Sequence, residues 1–154
     1  MANGSQITQE ELGELVGRMD EAAKAYIRGD LQTYVSLFDH SDDYSLMSPF
    51  GGETTHGFEY TEEKAAETSR FFATGEARLE LEQSYTSGDL AVLVAVERQH
   101  GEVGGLPDQD FSLRVTIVFR RVGTRWQIVH RHADPLVHPI PFDHLAQLAR
   151  GLDG

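Results

Sequence analysis

The feature that most constrains this chain is a change in the period of its apolar residues near residue 75. In "TQEELGELVGRMDEAAKAYIRGD", Leu12, Leu15, Val16, Met19, Ala23, Tyr26 and Ile27 recur at helical spacing. From "ARLELEQSY" onward the spacing becomes two, through "LAVLVAVERQH", "FSLRVTIVFRR" and "RWQIVHRHA". "TSGD", "GEVGGLPDQD" and "VGT" supply the turns. Four strands in succession joined by turns predict an antiparallel meander, and helices preceding strands predict an α+β fold. The expected architecture is a curved antiparallel sheet wrapped around N-terminal helices like a cone. The mouth of such a cone is a natural ligand site.

Local signals set the expected boundaries. Thr8 and Glu11 form a capping-box pair opening the first helix. Gly29 ends it, and Asp30 caps a second, short helix through Leu31, Tyr34, Val35 and Phe38. A short strand is expected over Tyr44–Ser48, stopped by Pro49, and a third helix over Glu59–Ala73. "FDHLAQLAR" can form a last short helix. One domain is expected over residues 1–154, with residues 1–6 a flexible tail and 139–154 a C-terminal extension.

Charge and composition narrow the function. A net charge of −12 repels nucleic-acid phosphates and anionic membranes, so neither is an expected partner. No apolar run reaches the ~20 residues that span a bilayer, and "MANGSQITQEEL" does not read as a secretory signal. The absence of cysteine removes disulfides, thiolate metal sites and cysteine nucleophiles, and it fits a cytoplasmic protein.

The candidate site residues lie on the strands. Strict alternation in "RWQIVHRHAD" puts Trp126, Ile128, His130, His132 and Asp134 on one face. In "VLVAVERQHG", Val92, Val94, Val96, Arg98 and His100 share a face; in "FSLRVTIVFRR", Arg114, Thr116, Val118 and Arg120 oppose an unbroken apolar face. An arginine in a pocket presents a fork of donors to a carboxylate or phosphate. The same arginines could equally lie on a solvated or partner-facing side, paired with acids. The two histidines could line a pocket, act as acid–base groups oriented by Asp42, Asp43 or Asp134, or be satisfied core polars. His130-x-His132 is a weak seed for a divalent metal, because Asp134 is too close and no Glu follows; no metal and no cofactor are expected.

"RGDLQTYVSLF", "SPFGG" and above all "LRVTIVFRRVGTRWQIVHRHADP" resemble the nuclear transport factor 2-like superfamily, over roughly residues 8–138. That superfamily includes SnoaL-like cyclases, ketosteroid isomerases, scytalone dehydratases and the association domain of calmodulin-dependent kinase. The resemblance implies the cone-shaped, cystatin-like fold. It does not fix an activity, because the fold hosts enzymes and assembly modules alike. The positions matching the isomerase machinery are Ser48 for the carboxylate base, Ala22 for the tyrosine donor and, by a rougher alignment, Val115 for the acidic donor, which argues against that chemistry. In the similarity to the association domain, the arginines matching Arg98 and Arg114 line the pocket.

The expected site is therefore a partly basic pocket of Tyr44, Arg98, Arg114, His130 and His132, binding an organic acid or polyketide-like molecule. The alternatives are a non-catalytic assembly module, and an isomerase or dehydratase using His130 or His132. A homodimer through the outer sheet face is expected, because "VLVAVE" and "WQIVH" carry apolar residues on both faces.

Overall fold

The computed structural model describes residues 6–151. The elements are α1 (Gln9–Ile27), α2 (Leu31–Leu37), β1 (Asp39–Met47), β2 (Thr55–His56), α3 (Glu62–Phe71), β3 (Phe72–Ser87), β4 (Leu90–Val103), β5 (Gln109–Asp110), β6 (Leu113–Val122), β7 (Arg125–Asp134) and α4 (Phe142–Arg150). The sheet runs β2-β1-β7-β6-β4-β3, with β5 added beside β4. It is curved and unclosed, and the expected α+β class and four-strand meander are both present. Most of the expected tail, residues 1–5, lies outside the described residues, as do residues 152–154 of the expected C-terminal extension.

The helix caps form as their residues dictate. The Glu11 N–H donates to Thr8 Oγ1 and the Thr8 N–H donates to Glu11 Oε1, both at 3.0 Å. Gly29 takes φ +77°, and a Cβ there would meet the Phe72 carbonyl oxygen at 2.2 Å, so only glycine fits. Thr61 caps α3, which makes it shorter than the apolar pattern suggests. β1 begins earlier than expected, at Asp39; its polar "DHSDD" hides a strand that pairs in parallel with β7.

α1 lies against the sheet. Leu15, Met19, Ala22 and Ala25 pack with Leu93, Val115, Ile117, Phe119 and Ile128 in one buried cluster. Asp20 on α1 accepts the Leu79 backbone N–H at 2.7 Å, fixing helix to strand. Gly75 and Gly101 face each other across β3 and β4, and Ile27 fills the space that their missing side chains leave.

Two sheet irregularities decide which side chains face the helices. On β7, Val118 pairs with His130 but Phe119 pairs with Ile128, so Val129 is an extra, bulged residue. A one-residue shift exchanges the two faces of a strand. Trp126 and Ile128 therefore face inward, and beyond the bulge the inward residues are Arg131 and Ala133 rather than His130 and His132. A second bulge interrupts β3 between Leu81 and Gln83. On β4 the inward set is Ala91, Leu93, Ala95 and Glu97, and the outward set contains Val92, Val94, Val96 and Arg98.

Candidate functional site

Between the helices and the concave sheet face lies a cavity of about 410 Å³, within the range of small-molecule sites. α1 contributes Met19, Ala23, Tyr26 and Ile27, and α2 contributes Tyr34. The sheet contributes Tyr44, Leu46, Glu97, Gln99, Leu113 and Arg131, while Pro49, Phe50 and Phe58 come from the segment after β1. The wall is predominantly apolar and aromatic.

Its charged residues are Glu97 and Arg131. Arg131 Nη1 donates to Glu97 Oε2 at 2.9 Å and Nη2 to Oε1 at 2.7 Å, a bidentate pair. The carboxylate side chain is 3% exposed and the guanidinium side chain 16%. Burial opposes the arginine's charge, but Glu97's charge and hydrogen bonds outweigh it and hold its pKa above the ordinary value. The pair neutralises itself, so the cavity carries no net charge from its lining residues.

Three tyrosines and a histidine gather near the pair. Tyr34 and Tyr44 both interact electrostatically with Arg131. Burial raises the pKa of Tyr34 and pushes that of Tyr44 up to about 12, so both stay protonated hydroxyls able to donate. His40 stacks on Phe58, with ring centroids 3.9 Å apart and planes 9° apart, and its Nε2 lies 3.4 Å from the Tyr34 hydroxyl. Burial lowers the His40 pKa to about 4, leaving it neutral near pH 7.

Of the residues expected in the pocket from sequence, Tyr44 lines the cavity and the other four do not. Arg98 faces outward and its Nε donates to Glu80 Oε1 at 3.1 Å. Arg114 also faces outward and grips Asp134 through Nε (2.8 Å) and Nη2 (3.0 Å). His130 Nδ1 lies 2.8 Å from Ser45 Oγ on the outer side, and His132 is exposed. The Val129 bulge is the physical reason for the histidines. For the arginines it is the parity of β4 and β6, whose inner faces carry Glu97 and Leu113 instead. Ser48 lines the cavity, whereas Ala22 and Val115 are buried in the core. Among the described residues, no three His, Asp or Glu side chains gather to hold a metal ion, and no helix is long and apolar enough to cross a membrane.

Sequence reasoning missed Glu97, Arg131, Tyr34 and His40 as site residues. Glu97 follows Ala91, Leu93 and Ala95 at alternate positions and Arg131 stands between two histidines, but strand alternation alone leaves open which face each takes.

A curved, unclosed sheet packed on helices around a mainly apolar cavity defines the nuclear transport factor 2-like class of protein. The SnoaL-like domain family matches residues 17–137, and the chain belongs to it. No curated protein matches the sequence. Among solved structures, a candidate dehydratase of this class from Streptomyces avermitilis is 24% identical, with TM-score 0.63 over 84% of this chain and 96% of that one. A nuclear transport factor 2-like superfamily protein from Salmonella enterica serovar Typhimurium is 19% identical, with TM-score 0.66 over 85% and 92%. The association domain of the C. elegans calmodulin-dependent kinase CaMKII is 15% identical, with TM-score 0.63 over 82% and 96%.

Proposed function

We propose that the cavity binds a neutral, mostly apolar organic molecule of polyketide-like size, whose hydroxyl or carbonyl group meets the polar cluster of Arg131, Tyr34 and Tyr44. The observation that carries this is the bidentate Arg131–Glu97 pair in an otherwise apolar cavity. A carboxylate ligand would have to displace Glu97 or place a second anion beside it, and like charges in a desolvated site repel strongly. A neutral oxygen can use the guanidinium's remaining N–H groups and the tyrosine hydroxyls without that cost. This reading replaces an anionic ligand held by Arg98 and Arg114.

Chemical-shift mapping with a neutral probe such as 2-naphthol tests it. Perturbations are expected at Tyr34, Tyr44, Leu113 and Arg131. Perturbations confined to Arg98, Arg114 and His132 would refute it.

A second reading, catalysis, is favoured by one observation. Tyr34 lines the cavity with neutral His40 behind it, so the imidazole can orient the phenol as a hydrogen-bond donor to a substrate oxygen on which negative charge develops. The same chain is proposed to form a homodimer through the outer sheet face. Val92, Val94 and Val118 are half-buried there without a covering element, and Val96 lies beside them. Four arginines on that face (Arg78, Arg98, Arg114, Arg120) are matched by three carboxylates (Glu80, Asp134, Asp43). Glu76 and Glu102 share the face, so its charges of both signs are close to balanced.

A further inference from the structure

Among the described residues, α4 is not closely packed against any other element. None of its residues is buried. Its apolar stripe is Phe142, Leu145 and Leu148, which are 89%, 49% and 52% exposed. A helix of nine residues is far below the ~12–15 residues at which isolated helices become even marginal in water, so it needs a surface to pack on.

A matching surface exists on the outer sheet face. Tyr85, Leu90 and Val122 are 60%, 45% and 52% exposed. Their register puts them on the side of Val92, Val118 and Arg120, at the end where β3 turns into β4 and β6 into β7. α4 leaves from the opposite end of β7. A second copy whose sheet runs the other way across this face brings the two ends together. Both surfaces are close to neutral: α4 carries Asp143 and Arg150, and Arg120 is matched by Asp43. Two copies of a −12 chain can meet there with little local repulsion.

We propose that α4 is an exchanged arm: in a two-fold dimer each copy packs Phe142, Leu145 and Leu148 onto Tyr85, Leu90 and Val122 of the other. This rests on the homodimer proposed above, and the measurements separate the two. The first is sedimentation equilibrium of the full chain beside a chain ending at Ile140. The second is air oxidation of the Tyr85→Cys/Leu145→Cys double variant, which supplies the only cysteines in the molecule. The expected results are a dimeric full chain, at least tenfold weaker self-association after truncation, and a covalent dimer on a non-reducing gel. A full-chain dimer that truncation leaves unchanged, or a disulfide formed within one monomer, overturns the exchange and leaves the dimer standing. A monomeric full chain overturns both. Binding of the full chain to phosphatidylglycerol vesicles, lost on truncation, overturns the exchange in favour of a lipid surface.

Discussion

Replacing Arg131 with methionine tests the buried pair. The substitution keeps most of the side-chain volume and leaves the Glu97 carboxylate, 3% exposed, without its cation. Removing one partner of a buried pair typically costs ~3–5 kcal/mol. The carboxylate has an escape: it can take up a proton. For a carboxyl of ordinary pKa near 4.3, protonation at pH 7 costs about 2.7 pH units at ~1.4 kcal/mol each, or ~3.7 kcal/mol. The loss at pH 7 is therefore capped near that figure. It should shrink by ~1.4 kcal/mol for each unit of acidification until pH 4–5. At ~2–4 °C per kcal/mol for a chain of this size, the melting point falls by roughly 7–15 °C at pH 7. Adding Glu97→Leu removes the stranded charge and should restore most of the loss, because buried pairs exchange for apolar residues at little net cost. The assay is urea denaturation of both single variants and the double variant at pH 7 and pH 5. Additive losses in the double variant, with no pH dependence in Arg131→Met, would refute the reasoning.

Three smaller predictions follow from the same geometry. His40 is neutral and half-buried, with a pKa lowered to about 4; the unfolded chain therefore binds more protons between pH 6.5 and pH 4, so stability falls as pH falls through that window, by about 1–3 kcal/mol. His40→Asn should flatten that part of the pH–stability curve, and an unchanged slope in denaturant titrations would contradict the burial argument. Gly75→Ala would place a Cβ 2.5 Å from the His100 carbonyl oxygen and 2.7 Å from Ile27 Cγ1, and a loss of about 1–3 kcal/mol is expected in thermal denaturation. Arg114→Ala breaks only an exposed pair with Asp134, so its cost should stay below about 1 kcal/mol, and a larger loss would mean that the outer face is more deeply covered than the monomer implies.

The fold was legible because its signals are redundant. Thr8, Glu11, Gly29 and Asp30 each mark a boundary by their own chemistry, and β4, β6 and β7 show their strand character by alternation or by β-branched density. The site was less legible because its geometry depends on parity. "VLVAVE" is apolar on both faces, so nothing local says that Glu97 faces the helices and Arg98 faces away. Val129 is apolar and would suit either side, so the bulge that turns Arg131 inward and the histidines outward leaves no mark in the sequence. His40 was unreadable for another reason. It sits in a polar run, and its burial comes from Phe58 and Tyr44, which lie distant in sequence or beyond an irregular stretch of β1.

The measurement that bears most directly on the cavity assignment is a thermal-shift comparison of 2-naphthol, 1-tetralone and 2-naphthoic acid. It would use the wild type, Tyr34→Phe, the Arg131→Met/Glu97→Leu double variant, and Arg98→Ala with Arg114→Ala. A ligand that binds only the native state at a hundred times its dissociation constant adds about 2.7 kcal/mol. Stabilisation by the two neutral compounds is expected. That stabilisation should be reduced in the cavity variants and unchanged in the outer-face arginine variants. Stabilisation by the naphthoate alone, lost when Arg98 and Arg114 are replaced, would contradict the cavity assignment.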